Sequence, residues 1–279
     1  MKKISRRSFL AAAGLSVAAL ALTACGGSSA STASSVASSA ASSEAASTSV
    51  AAGELATVEA GKLTMATNAA FPPYEMTTDA GEFEGIDIET AQAIADKLGL
   101  ELQIDDMDFD AALLSVQQGK ADIVMAGVTV TDERKAVMDF SDSYATGIQS
   151  IIVPEGSDIA SPDDLTGKKI GTQRGTTGYI YCSDDFGDDN VVAYDDGLTA
   201  VQALNNGQVD AVVIDNAPAQ EFIAANPGLK ILDTSYAEED YAIGMAKGSS
   251  LEDAVNAALE ELKADGTLQS IVDKYITAE

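Results

Sequence analysis

The chain has 279 residues, of which 44 are Asp or Glu and 16 are Lys or Arg, so its formal net charge is −28 at pH 7. This acidity argues against nucleic acid as a partner, because phosphate binding needs clustered basic residues. The chain contains no histidine, which excludes a Ser-His-Asp triad, a Cys-His pair and a His-ligated zinc site. Its acidic runs, Glu238-Glu239-Asp240 among them, lack EF-hand spacing and are interpreted as solvated charge. No metal or cofactor is predicted.

The first 24 residues are predicted to be an export signal rather than part of the fold. Basic residues at positions 2–7 precede an apolar stretch over 9–22, which is shorter than the ~20 residues of a membrane span. The sequence LTAC at 22–25 looks like a lipobox, so Cys25 is the predicted lipidated N-terminus of the mature protein. Sec and twin-arginine export both stay open, because Arg6 and Arg7 fit either signal.

Residues 25–55 form a Ser/Ala-rich segment that is predicted to be a flexible tether. Such a composition has too little apolar surface to offset its ordering entropy. With a lipid at Cys25, the tether would hold the rest of the chain at the outer face of the cell membrane. Cys182 would then be the one remaining cysteine, and no intrachain disulfide could form.

The body alternates strand-like and helix-like segments. Strands are predicted at 62–67, 100–104, 121–126, 151–154, 169–173, 191–194 and 211–214. Helices are predicted at 86–98, 109–118, near 178, and at 198–205, 217–225, 251–264 and 268–275. The short apolar strand ADIVMA at 121–126 is typical of a buried parallel sheet. The alternation therefore predicts α/β layers.

Three features suit the binding of a small charged ligand. Arg134 lies in the first turn of a short helix after Thr129, and its planar fork of donors matches a carboxylate. The loop RGTTG, with Thr176 and Thr177, follows a strand and begins a helix, where free N–H groups attract anions. Asp215 follows the apolar strand DAVVI. Taken singly, Arg134 and the loop are better explained as a surface arginine and a capped turn, and Asp215 could equally be a helix N-cap.

Four sequence blocks, in register, resemble the solute-binding proteins of amino-acid ABC transporters, known as bacterial extracellular solute-binding protein family 3. They are TNAAFPPYEM with EGIDIETAQAIADKLG (67–99), DFDAALLSVQQGKADIVMAGVTVTDER (108–134), KKIGTQRGTTG (168–178) and GQVDAVVIDNAPA (207–219). The resemblance implies a type II periplasmic-binding-protein-like α/β fold, in which two lobes are joined by two hinge strands around a ligand cleft. Lobe 1 would comprise residues 61–146 plus 243–279, and lobe 2 residues 149–240.

The resemblance also implies a set of ligand contacts for an amino acid. Arg134 and the Thr176–Thr177 loop would hold the carboxylate, while Asp215 would hold the ammonium. The full predicted ligand-binding set is Asn68, Phe71, Phe109, Gly127, Thr129, Arg134, Thr176, Thr177 and Asp215. Within it, Phe71 and Phe109 would sandwich the ligand side chain. Asn68 falls where binders of basic amino acids often carry Asp, which favours a polar, uncharged ligand.

The predicted function is extracytoplasmic capture of an amino acid and its delivery to an ABC permease. The protein would be a monomer, would hold no cofactor and would catalyse no reaction. A cyclohexadienyl or arogenate dehydratase resembles the same fold, and fold alone does not separate an enzyme from a binding protein. A third possibility is a ligand-sensing lobe that acts on a membrane receptor.

Overall fold

The computed structural model describes residues 55–276, so the predicted signal peptide, Cys25 and nearly all of the tether lie outside it. The strands are β1 Lys62–Thr67, β2 Ala70–Phe71, β3 Glu75–Thr77, β4 Phe83–Glu84, β5 Glu101–Asp106, β6 Ile123–Val124, β7 Met138–Phe140, β8 Ala145–Pro154, β9 Ile170–Gln173, β10 Val191–Tyr194, β11 Ala211–Asp215, β12 Leu229–Ile231, β13 Ala237–Tyr241 and β14 Gly244–Ala246. The α-helices are α1 Ile86–Leu98, α2 Phe109–Gln117, α3 Asp132–Val137, α4 Thr177–Phe186, α5 Gly197–Asn205, α6 Asn216–Ala225, α7 Glu252–Ala264 and α8 Thr267–Tyr275. Short 3₁₀ helices lie at Pro162–Leu165 and Asp188–Asn190. Across residues 55–276, no helix combines the length and the apolar character that crossing a membrane requires.

The first sheet has the strand order β5-β1-β6-β14-β7. Strands β5, β1 and β6 are parallel, while β14 runs antiparallel to both β6 and β7. Helix α1 packs against α7 and α8 on this sheet, and α2 packs against β1 and β14. Leu63 and Met65 of β1 are fully buried beneath these helices. Such burial is typical of parallel strands in a sheet that helices cover.

The second sheet has the order β10-β9-β11-β8-β12, and β13 also pairs with β8. Strands β9, β10 and β11 are parallel, and β8 is antiparallel to β11, β12 and β13. The chain leaves the first sheet after β7 and enters the second through β8. It returns through β13 to β14. Strands β8 and β13, paired from Ala145 with Tyr241 to Gln149 with Ala237, therefore form the connection between the sheets.

Most predicted elements are present. Strand β8 begins at Ala145, before the strand predicted at 151–154, and the other differences concern short segments. Helix α1 has the predicted bounds, and α7 and α8 begin within one residue of theirs. The apolar stretch 121–126 contributes only Ile123–Val124 as strand. A small third sheet, β2-β3-β4, was not predicted, because its strands of two or three residues are too short to show a period. Cys182 is a free, buried cysteine within the described residues. The exact lobe boundaries stay a prediction.

Tyr241 at the end of β13 packs directly over Gly147 of β8. A Cβ atom added at Gly147 would lie within 2.6 Å of the Tyr241 hydroxyl oxygen, a distance that real contacts do not reach. Tyr241 is itself fully buried, and its hydroxyl donates a hydrogen bond to Asp215. A glycine at position 147 therefore allows the ring to lie across the connection between the sheets.

We expect Gly147→Ala to destabilise the protein by about 1–3 kcal/mol, because the added methyl group must displace a buried ring. Urea unfolding followed by circular dichroism measures this change. Gly156→Ala is the matched control, since a Cβ atom there meets nothing within 4 Å. Equal stability of the two variants would contradict the packing described for Tyr241.

Candidate ligand-binding site

A cavity lies between the loops and helix N-termini next to the first sheet and those next to the second sheet. Its empty volume is about 310 Å³ including the part open to solvent. All nine residues of the predicted ligand-binding set line it, together with Glu75, Ala126 and Gln173. The structure therefore brings the whole predicted set to one place, while the role of each residue in ligand binding stays a prediction.

Arg134 is a buried arginine, so the alternative of a surface arginine is wrong. It lies in the first turn of α3, where the Thr131 hydroxyl accepts a hydrogen bond from the Arg134 amide at 3.1 Å. The side chain is only 8% exposed. Its Nη1 donates to the Thr129 carbonyl at 2.7 Å, and its Nη2 donates to the Gly175 carbonyl at 3.2 Å. The second bond spans the cleft, because Gly175 belongs to the loop before α4.

The electrostatic setting of Arg134 leaves its charge without a direct counterion. Burial lowers the pKa of the Arg134 guanidinium, and the acids Glu239 and Asp215 act in the opposite direction. Within residues 55–276, the salt bridges do not include Arg134. Its guanidinium lies over the Phe109 ring, 5.3 Å from the centroid. The two carbonyl bonds use only part of its five donors, so the remaining N–H groups suit an anionic ligand.

The start of α4 provides further donors opposite Arg134. Thr176 is the N-cap: its hydroxyl accepts from the Tyr179 amide at 3.3 Å and donates to the Gln173 carbonyl at 2.8 Å. The Thr176 side chain therefore caps the helix, which is the alternative role that the sequence analysis gave for this loop. The backbone N–H groups of Thr177 and Gly178 meet no acceptor among the residues described. These amides, at the positive end of the helix, favour an anion.

Asp215 lies at the end of β11 and faces the same cavity. It holds the N-cap position of α6, but its side chain makes no capping hydrogen bond. Instead, its carboxylate accepts from the Tyr241 hydroxyl and from Gln149 Nε2, the latter at 2.8 Å. Burial raises the pKa of Asp215 to about 7, and the nearby Glu239 adds to the shift. A bound cation would therefore favour the ionised form of Asp215.

Gly127 and Thr129 line the side of the cavity that belongs to the first sheet. Gly127 has a φ of +54°, and a Cβ atom there would lie 2.8 Å from the Phe71 ring, so the position requires glycine. Its amide donates to Asp87 at 3.0 Å. The Thr129 hydroxyl donates to Glu239 Oε2 at 3.1 Å. The backbone at Gly127 and the side chain of Thr129 are thus each held by a hydrogen bond to a buried acid.

The apolar part of the cavity is formed by Phe71 and Phe109, which are both buried. Phe71 stacks on Tyr74 with ring centroids 5.9 Å apart. Beside them, the Asn68 amide donates to the Met107 carbonyl at 3.0 Å and accepts from Gln173 Nε2 at 2.8 Å. The Asn68–Gln173 bond joins the two sides of the cleft. The cavity therefore has an apolar slot bordered by two amide side chains.

Comparison with known proteins identifies the fold and the family. The family model for bacterial extracellular solute-binding proteins, family 3, matches residues 63–278. The chain belongs to this family. The type II periplasmic-binding-protein-like fold expected from the sequence is thereby confirmed, since solved structures of such proteins superpose on this one.

Relatives of this family 3 protein include binding proteins for several amino acids. The L-cystine-binding protein TcyJ of Escherichia coli is 33% identical over 79% of this chain and 85% of its own. The arginine-binding extracellular protein ArtP of Bacillus subtilis is 33% identical over 78% of this chain and 87% of its own. A solved ancestral arginine-binding protein bound to glutamine is 42% identical, covers 78% of this chain and 99% of its own, and has a TM-score of 0.75.

Sequence reasoning missed three residues that hold the family 3 site together. Gln149 of β8 and Glu239 and Tyr241 of β13 surround Asp215. The interpretation of the acidic run near 239 as solvated charge is wrong for Glu239, which is 7% exposed, although Glu238 and Asp240 are exposed. The signal for Glu239 was the alternation of a strand, EEDY, in which every second side chain points inward.

Glu75 and Asp87 form a second, buried pair of acids behind Gly127. Both side chains are fully buried. Asp87 Oδ2 accepts from the Gly127 amide and from the Tyr144 hydroxyl, at 3.0 and 2.8 Å. Both Glu75 oxygens and Asp87 Oδ1 meet no donor within the residues described. A protonated Glu75 would supply a donor to Asp87, whereas two ionised carboxylates could only accept.

The two acids should make stability fall as the pH rises. Burial raises the pKa of Asp87 to about 6 and raises the pKa of Glu75 well above its usual value. The folded state therefore keeps a proton that the unfolded chain releases near pH ~4. The part that Asp87 contributes is present below that pH and is lost as the pH rises through about 6. The hydrogen bond between the two groups raises the pKa of Glu75 and lowers that of Asp87, so Glu75 holds the shared proton.

We expect Glu75→Gln to raise the free energy of unfolding by about 1–3 kcal/mol at pH 8, because its amide donates to Asp87 without a titrating proton. The gain should shrink at pH ~5, where protonating Glu75 in the folded state costs less free energy. Urea unfolding at both pH values measures the difference. Glu84→Gln, at an exposed position, controls for the change in net charge. A loss of stability in Glu75→Gln at pH 8 would contradict the shared proton.

Proposed function

We propose that this protein binds a polar α-amino acid between its two lobes and delivers it to an ABC importer. Arg134 and the amides of Thr177 and Gly178 would hold the α-carboxylate, while Asp215 and the Thr129 hydroxyl would hold the ammonium. The observation that carries this proposal is the meeting of Arg134 from one side with the α4 start and Asp215 from the other, in one cavity. A zwitterion satisfies both charges, and an unpaired buried charge would be costly.

Binding of one ligand by both lobes would couple occupancy to closure. The cleft-spanning contacts, from Arg134 to Gly175 and from Gln173 to Asn68, are hydrogen bonds that a separation of the lobes would break. A ligand that contacts both sides lowers the free energy of the closed state relative to the open one. The permease would then recognise the closed shape.

The ligand side chain would lie in the slot between Phe71 and Phe109. Asn68 and Gln173 border this slot with amide groups, and both amides suit a polar side chain. Related proteins support this class: their names specify cystine, histidine, arginine and glutamine.

We further propose that the protein performs no chemistry on its ligand. Its family is one of binding proteins. Asp215, the acid nearest the proposed ammonium, is held by Tyr241 and Gln149 as an acceptor rather than placed alone for proton transfer. Anchoring by a lipid on Cys25 and a monomeric state belong to the same proposal, and they rest on the sequence.

Removing the Arg134 guanidinium tests the proposal. A thermal-shift panel of the twenty amino acids identifies the ligand, because a molecule that binds only the folded state raises the melting temperature. We expect Arg134→Ala to weaken its binding by at least about 30-fold, since an unpaired carboxylate would be left in the closed cleft.

Calorimetric titration measures this loss, and Arg174→Ala is the matched control. Arg174 belongs to the loop before α4, but its side chain is 52% exposed. Wild-type affinity in Arg134→Ala, or an equal loss in both variants, would refute the assignment of Arg134.

A further inference from the structure

Glu239 is a buried carboxylate that lies behind the cavity wall, on the strand β13 that connects the two sheets. One of its oxygens, Oε2, accepts three hydrogen bonds. They come from the Thr129 hydroxyl at 3.1 Å, the Thr177 hydroxyl at 2.9 Å and Gln149 Nε2 at 3.0 Å. Thr129 and Thr177 approach from opposite sides of the cleft, and both line the cavity. One carboxylate oxygen thus joins the two walls.

The hydrogen bonds to Glu239 determine whether the hydroxyls of Thr129 and Thr177 can donate to a ligand or only accept from it. A threonine hydroxyl has one hydrogen and two lone pairs, whereas a carboxylate has no hydrogen to donate. Because each hydroxyl gives its hydrogen to Oε2, only lone pairs are left for the cavity. Thr129 and Thr177 are then acceptors, which suit an ammonium and repel a carboxylate.

The neighbouring groups reinforce this polarity. Gln149 Nε2 donates to both Glu239 and Asp215, at 3.0 and 2.8 Å, and makes a longer contact of 3.4 Å with the Thr177 hydroxyl oxygen. The two carboxylates are therefore held side by side by one amide. Free donors, by contrast, are concentrated on Arg134 and on the backbone amides at the start of α4. The cavity has one end that accepts hydrogen bonds and one that donates them.

We propose that Glu239 is a positioning residue that orients the hydroxyls of Thr129 and Thr177, so that this end of the cavity accepts a primary ammonium and rejects an anion. The proposal rests on the proposed amino-acid function and adds the group that decides which end of the ligand lies there. Glu239 itself does not line the cavity. Its effect passes through the two hydroxyls.

The test compares amino acids with analogues that lack only the α-ammonium. The probes are L-glutamine with glutaramate, and L-arginine with δ-guanidinovalerate, because a related protein was solved with glutamine and with arginine. If the thermal-shift panel selects another amino acid, its des-amino analogue is used. Calorimetry gives the affinity ratio of each pair for wild type, Glu239→Gln and Glu238→Gln. Glu238 is the matched control, being an exposed neighbour on the same strand.

We expect wild type and Glu238→Gln to prefer the amino acid strongly over its des-amino analogue. Glu239→Gln should reduce this preference by about 10- to 100-fold through weaker binding of the amino acid alone. The reason is that the amide introduced in place of the carboxylate has hydrogens of its own to donate, so it no longer holds both hydroxyls as acceptors. If Glu239→Gln does not fold, Thr129→Val should narrow the same preference, because it removes one oriented acceptor and keeps the shape.

Two results would overturn the inference while leaving the proposed function intact. One is an unchanged preference in Glu239→Gln, and the other is an equal loss for amino acid and analogue, which would indicate a general packing role. Failure of every amino acid to bind the wild type would overturn the proposed function itself, and this inference with it.

Discussion

Burial of the Arg134 guanidinium between two sheets is the constraint on which the site depends. A buried charge must be paired or fully hydrogen-bonded, and here two carbonyl groups provide only partial compensation. The acids that act on Arg134 electrostatically, Glu239, Asp215 and Glu133, form no salt bridge with it within residues 55–276. The cleft therefore offers an anion the remaining donors of Arg134 and the amides at the start of α4.

The strands that connect the sheets also carry the groups that organise the site. Gln149 lies on β8, and Glu239 and Tyr241 lie on β13, where these strands pair across the connection. Any hinge motion at these strands would move the groups that hold Asp215 and the two threonine hydroxyls. Under the proposed function, ligand contact and lobe movement would depend on the same residues.

Much of the fold and site could be predicted because the decisive signals were local. Helix α1 follows from its apolar period and the glycine at its end, and the four sequence blocks placed Arg134, Thr177 and Asp215 together. The strand alternation in EEDY indicates that Glu239 is buried, but the contacts of Glu239 could not be found in this way. Its partner Gln149 is 90 positions away in the chain, so only the pairing of β13 with β8 brings them together. A local reading of three consecutive acids sees solvated charge, whereas the strand buries the middle one.

A crystal structure of the protein with the amino acid selected by the thermal-shift panel tests the proposed ligand contacts most directly. The ligand carboxylate should lie within hydrogen-bond distance of the Arg134 guanidinium and of the Thr177 and Gly178 amides, with the ammonium on Asp215. A reversed ligand, with its carboxylate against Asp215 and Glu239, would contradict the assignment. So would a ligand bound outside this cavity while Arg134 kept only its two carbonyl partners.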